Sequence, residues 1–137
     1  AAQAALQKLT ENGSQVRLAQ AFNPAIFAGE VRAFSVAGKP IAWCLKKPAA
    51  GNFIATTRAG ATLLPYKPKK QEINRVTAAS KALLKLGVFN VGFDIIGGNV
   101  SEVNITSPRL LQGEGDKTNY YRIWADLVAK DTGRYSS

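Results

Sequence analysis

The stretch Phe93-Asp94-Ile95-Ile96-Gly97-Gly98-Asn99-Val100-Ser101-Glu102-Val103-Asn104-Ile105-Thr106-Ser107-Pro108 sets two carboxylates and an amide at a spacing that could do chemistry. Apolar residues on both sides of Gly97-Gly98-Asn99 predict two strands joined by a tight turn. Side chains alternate along a strand, so Glu102, Asn104 and Thr106 share a face, and a turn centred on Gly98 sets Asp94 opposite Glu102. Facing carboxylates repel by roughly 0.2–1 kcal/mol in an ordinary sheet, so folding alone gains nothing from the pair. A hard divalent cation reverses the sign, because Mg²⁺ takes oxygen ligands from one or two carboxylates together with substrate phosphates.

The elements that must position this hairpin come from a chain of 137 residues, 46% of them hydrophobic, which suits one modest domain with a core. Ala1 to Glu11 reads as a helix with Leu6 and Leu9 on one face and Asn12-Gly13 as its stop. Gln15 to Phe22 reads as a strand broken by Asn23-Pro24. Glu30 to Val36 and Pro40 to Lys46 read as a hairpin turning at Ala37-Gly38-Lys39. The segment from Lys47 to Pro68 is irregular, with one extended piece at Phe53 to Thr57. Gln71 to Leu86 is the clearest helix, with Ile73, Val76, Ser80, Leu83 and Leu84 forming its stripe and Gly87 ending it. Lys117 to Lys130 reads as a last helix whose Tyr120, Ile123, Trp124, Leu127 and Val128 face a core, and Arg134 to Ser137 as a frayed tail. The order predicts an α+β domain with a mainly antiparallel sheet and packed helices.

Composition narrows the chemistry further. The chain has no histidine, which excludes His-based catalysis and Cys/His zinc sites, and the single Cys44 sits in an apolar strand as an inert thiol. A net charge of +9 favours anionic partners such as nucleotide, nucleic acid or an acidic membrane surface. The basic residues are scattered except for Lys67-Pro68-Lys69-Lys70, which reads as a solvated loop leading into a helix. No apolar run reaches transmembrane length and no signal-peptide pattern opens the chain. With no methionine, the chain reads as a processed product or as a part of something longer.

Residues Gly92 to Pro108 resemble the metal-binding hairpin of the ATP-grasp ligases, and most closely that of the bacterial-type glutathione synthetases. That family's pattern is Gly-[Leu or Phe]-Asp-[Ile or Val]-Ile-Gly, a few residues, then Glu-[Ile or Val]-Asn-[Val or Ile]-Thr-Ser-Pro. The likeness covers about residues 13–108. Leu18 to Ile26 is similar to the segment that links the two ATP-grasp subdomains and holds adenine, which implies a nucleotide contact at Gln20, Ala21 and Phe22 and an exposed apolar cleft wall around Phe22 and Ile26. Gly29-Glu30-Val31-Arg32 resembles a Gly-Asp-Lys-Arg or Gly-Glu-[Lys or Arg]-Arg motif, implying Glu30 near the ribose and Arg32 at the reacting phosphate. Lys47 stands where many members carry Arg, which implies a second catalytic cation supporting Arg32 at the phosphate. The resemblance further implies Asp94, Glu102 and Asn104 as metal ligands, Asn104 also serving the nucleotide.

By that likeness the chain is the second subdomain of an ATP-grasp fold, without the first subdomain or the amino-terminal substrate domain. The implied reaction is ATP- and Mg²⁺-dependent amide formation, with Mn²⁺ as a substitute ion. A substrate carboxylate gives an acyl phosphate that an amine then displaces, the pair for glutathione synthetases being γ-glutamylcysteine and glycine. The implied partners are nucleotide, a small peptide or amino acid, and the missing half in the same or another chain, with a homo-oligomer also open. The compartment is cytoplasmic, or an organelle if a transit peptide has been removed. The chain departs from the pattern at Arg-x-Asn-x-x-x-Gly-Gly, where Ile54, Thr56 and Ala61 stand for Arg, Asn and the second Gly, and after Pro108. Those departures, with the missing half and the basic charge, keep open a non-catalytic structural subunit derived from the fold, and the charge alone keeps open a basic nucleic-acid-binding module. On any of these readings the chain alone is expected to show no ligase turnover.

Overall fold

The computed structural model describes residues 2–132, and the tail expected at 134–137 lies outside them. Among the described residues one antiparallel sheet contains β1 (Glu30–Val36), β2 (Lys39–Lys47), β3 (Thr62–Pro65), β4 (Asn90–Ile96) and β5 (Asn99–Asn104), in the spatial order β3-β2-β1-β4-β5. Helices α1 (Ala2–Leu9), α2 (Lys70–Lys85) and α3 (Tyr120–Thr132) complete the α+β architecture that the sequence predicts.

Alternation along the strands divides the apolar residues between the two sheet faces. On one face Val31, Ala33, Val91, Phe93 and Ile95 pack with Val76 of α2, and Ala79 and Leu83 of the same helix lie against them. On the other, Phe34, Val36 and Ala42 meet Tyr120, Trp124 and Leu127 of α3. The Trp124 indole donates to Asn90 Oδ1 at 2.9 Å, so its one polar atom is satisfied against the sheet. Helix α2 opens on a buried Glu72 whose carboxylate accepts from the Lys69 backbone N–H and from the Tyr66 hydroxyl. That inward Glu72 takes the first turn, and Ile73, expected in the apolar stripe, stays 39% exposed.

Three expectations are corrected. Residues 15–22 form no strand, because no neighbouring strand pairs with them, and Val16 and Leu18 stay exposed. The extended piece expected at 53–57 is not in the sheet either. The strand of that region is β3, which pairs with β2 from Cys44↔Pro65 to Lys47↔Thr62 and tolerates its proline at the sheet edge. Leu6 and Leu9 of α1 are exposed, so that helix adds no core.

Phe93 is fully buried and lies between α2 and the strand positions that carry the acidic residues. Phe93→Ala is expected to cost about 3–5 kcal/mol of stability, read as a lower urea midpoint at unchanged slope.

Candidate functional site

The register of three adjacent strands assembles a buried cluster of charge. Glu30 of β1 pairs with Lys46 of β2, and Arg32 of β1 pairs with Asp94 of β4. Arg32 Nε and Nη2 donate to Asp94 Oδ1 and Oδ2 at 2.8 and 2.9 Å. Lys46 Nζ lies 2.8 Å from Asp94 Oδ1 and also meets Glu30 Oε1. These four side chains are between 6% and 16% exposed, and their charges cancel in pairs, which is what makes burying them tolerable. Burial raises the Glu30 carboxyl above its ordinary range; contact with Lys46 pulls it back down and nearby Asp94 pushes it up again.

Arg32 Nη1 is buried and has no hydrogen-bond partner among the described residues. Its place exists because residue 92 is glycine: a Cβ there would stand 2.6 Å from Nη1 and 3.5 Å from Pro108 Cβ. The guanidinium therefore sits in a notch formed by a missing side chain.

The β4–β5 hairpin reaches its acidic pair by a route the sequence does not display. Ile96 pairs with Asn99, leaving Gly97 and Gly98 as a two-residue turn with φ of 59° and 81°, the positive-φ pattern of type I′. Continued without interruption, that register would set Ser101 opposite Asp94. A bulge removes Ser101 from the pairing, so Asp94 faces Glu102 as expected from sequence, and Ser101 Oγ donates to the Asp94 carbonyl at 3.1 Å. The Glu102 carboxylate is exposed and makes no hydrogen bond or ion pair among the described residues. Asn104 pairs with Gly92 and shares the face of Asp94, its Oδ1 accepting from the Ser107 N–H at 3.1 Å.

A cleft of about 850 Å³ opens over this cluster. It brings together Gln20, Ala21, Phe22, Glu30, Arg32, Asp94 and Glu102 of the residues expected from sequence, while Asn104 and Lys47 are not among its walls. Lys47 Nζ instead donates to the carbonyls of Phe27 and Ala28 at 2.8 and 3.4 Å. Lys46 is the second cation in the cleft, beside Arg32, and the sequence reading missed it. An unbulged β1–β2 hairpin turning at Ala37-Gly38 would put Lys47 on the Arg32 face, but a bulge leaves Ile41 unpaired and brings Lys46 there. Beside the cleft, the Phe22 ring stands edge-on to Phe27 and to Phe53 with centroids 5.7 Å apart in each pair. Phe22 is exposed as expected of a cleft wall, whereas Ile26, expected beside it, is buried at 6%. Ile54 lines the cleft at the position where the sequence departs from its pattern.

No three His, Cys, Asp or Glu residues among those described are grouped to hold a metal. The candidate donors are two carboxylates, Asp94 and Glu102, and the amide oxygen of Asn104, all hard oxygen ligands on one face of one hairpin. The donor types suit an ion such as Mg²⁺, which would take Asp94 in competition with Arg32 and Lys46, since both Asp94 oxygens are engaged by those cations. Cys44 is fully buried and its thiol is pushed up to about 11 by burial, so it is no nucleophile at neutral pH. No helix of the described residues is long and apolar enough to cross a membrane.

Residues 2–115 match the family model of the prokaryotic glutathione synthetase ATP-grasp domain. The chain is 32% identical over 108 residues to a glutathione synthetase of Vibrio vulnificus (strain CMCP6), covering 78% of this chain and 34% of that relative. It is 35% identical over 104 residues to one of Photorhabdus laumondii, covering 75% and 33%. It is 31% identical over 106 residues to one of Bordetella parapertussis, covering 77% and 33%. The chain thus spans about a third of the length of these curated relatives.

The notch at residue 92 and the buried carboxyl at residue 30 each generate a measurement. Gly92→Ala is expected to push the Arg32 guanidinium off Asp94, shifting the Arg32 Nε–H resonance and costing about 1–3 kcal/mol of stability; an unmoved resonance would show that the notch does not hold the side chain. Because the folded Glu30 carboxyl binds its proton at higher pH than the unfolded reference of 4.5, Glu30 adds stability as pH falls from its folded value toward 4.5 and adds no more below it. In urea titrations at stepped pH, wild type should therefore gain on Glu30→Gln across that window.

Proposed function

This chain belongs to the prokaryotic glutathione synthetase ATP-grasp family, and from that membership we propose that it supplies the metal- and phosphate-binding part of an ATP-dependent carboxylate–amine ligase, with γ-glutamylcysteine as the acid and glycine as the amine. The observation that carries this reading is Arg32. Two of its nitrogens are fixed by Asp94, and the third is buried without a partner beside the hairpin that holds Glu102. A guanidinium with one unpaired nitrogen keeps donor capacity for an anion, which meets it by drawing the side chain out of the Gly92 notch or by sharing it with Asp94.

In the proposed reaction the substrate carboxylate attacks the γ-phosphorus of ATP, the bond to ADP breaks, and the amine then displaces phosphate from the acyl phosphate. Arg32 meets the charge on the transferring phosphoryl oxygens, and Lys46 adds a second cation at the same wall of the cleft, the part that the sequence assigned to Lys47. Asp94, Glu102 and Asn104 would hold a divalent ion, which when bound neutralises phosphate charge. The backbone of Gln20 and Ala21 and the exposed Phe22 ring offer the base a polar edge and an apolar face, and Glu30 lies deeper in the same cleft. Since the chain spans a third of its relatives' length, the rest of the site comes from elsewhere in the polypeptide or from another chain, and residues 1–137 alone bind Mg-ATP weakly. Tight calorimetric binding by this chain alone would contradict that division.

In the protein that carries this chain, Glu102→Gln is expected to lower ATP-dependent ligation by about 10²–10³ with little change in melting temperature, whereas Arg32→Ala is expected to lose ligation and, by leaving buried Asp94 without its arginine partner, about 3–5 kcal/mol of stability as well. Phosphate release coupled to glycine is the measurement. Turnover equal to wild type in both variants would leave a structural module as the better account of the fold.

A further inference from the structure

Glu102 stands on β5, an edge strand paired on one side only, and residues 99–103 of that strand are exposed. The turn that feeds it is Gly97-Gly98, the sequence with the most backbone freedom to lose. The Ser101 bulge sets which face Glu102 takes, but among the described residues the strand's outer edge has no ladder partner to hold it. Yet Asn99, Val100, Ser101 and Glu102 together form a wall of the cleft.

Two contacts hold the tip of this hairpin. On one side Gly97 lies close under the 23–25 turn, where a Cβ would come within 3.1 Å of Ala25 Cβ. On the other, Arg75 of α2 reaches across and donates from Nη1 to the Gly98 carbonyl at 2.6 Å, with Asn99 Oδ1 at 3.4 Å from the same nitrogen. A guanidinium donating to a carbonyl is a charge-assisted hydrogen bond, shorter and stronger than a neutral one. Arg75 is exposed, outside the cleft, and touches none of the residues assigned to metal or phosphate.

We propose that Arg75 is a positioning residue: by tying the Gly98 carbonyl to α2, it holds the β4–β5 turn so that Glu102 stays opposite Asp94. The inference rests on the ligase reading, because a fixed Glu102 matters only if the carboxylate pair shares an ion. Helix α2 is anchored by Val76 and Ser80, both essentially fully buried, so Arg75 links the tip of the hairpin to a helix fixed against the sheet. Lysine at this position keeps the charge and a donor for the Gly98 carbonyl, the two features the tie requires.

The test compares wild type, Arg75→Ala and Arg75→Lys in the full-length protein. It reads amide exchange at residues 97–102, the Mn²⁺ concentration for half-saturation in the presence of ATP, and the melting temperature. Arg75→Ala is expected to speed exchange at the turn by about tenfold and to raise half-saturating Mn²⁺ about three- to tenfold. The melting temperature should hardly move, and Arg75→Lys should recover most of both losses. A purely structural arginine would lower the melting temperature and leave Mn²⁺ half-saturation alone. Wild-type exchange at the turn, or wild-type Mn²⁺ half-saturation, in Arg75→Ala overturns the proposal. Failure of the wild-type protein to take up Mn²⁺ with ATP overturns the ligase reading instead and takes this inference with it, and the exchange rates tell the two failures apart.

Discussion

Asp94 accepts hydrogen bonds from Arg32 and contacts Lys46 at the same time, and that double engagement ties three strands together by side chains as well as by backbone ladders. Because all of the partners are nearly out of water, each depends on the others. Removing one partner of a buried ion pair costs about 3–5 kcal/mol, whereas apolar replacements of similar volume are often neutral or better. Such a cluster is a poor way to stabilise a sheet and a good way to hold cations and carboxylates at fixed separations. The register of β2, β1 and β4 is the constraint that lets it exist. Sliding one strand by a single residue would turn a charge into an apolar layer.

The two faces of the sheet divide the work accordingly. The face under α2 is apolar along β4 and, apart from the buried Ser35, along β1, with Ala33, Val91 and Phe93 essentially closed to solvent. The opposite face changes character along its length. Phe34 and Val36 pack under α3 at one end of β1, while Glu30 and Arg32 occupy the other end. One strand therefore carries a core segment and a charged segment in succession, and the core segment sets the angle at which the charged one leaves. Groups placed on strands in this way are held more firmly than groups on loops.

Much of this was legible in the sequence because it follows from alternation and turn chemistry. The β1–β2 and β4–β5 hairpins, helices α2 and α3 and the facing of Asp94 with Glu102 all follow from apolar spacing punctuated by Gly and Pro. What was not legible depends on single-residue irregularities or on tertiary neighbours. The bulge at Ile41 decides whether Lys46 or Lys47 enters the cleft, and no local pattern around Pro40 announces it. Residues 15–22 alternate well enough for a strand but have no partner to pair with. Residues 62–65 carry a proline yet become β3, because the outer edge of β2 is free to receive them. Ile26 was expected in the open and lies inside because the short helical turn at Pro24–Ala28 folds it under.

The unpaired Ser101 has a consequence for how such a hairpin varies in length. A two-residue turn joined to regular strands would set Ser101 opposite Asp94, and the single extra residue moves Glu102 into that position. The acidic pair thus depends on the parity of the count between Ile96 and Glu102. Adding or deleting one residue in that interval sends Glu102 to the far face of the sheet unless the bulge is gained or lost in compensation. A change of two residues keeps the faces intact and alters only the reach of the tip. Length variation here is therefore quantised in steps of two, with Ser101 as the half-step that sets the phase.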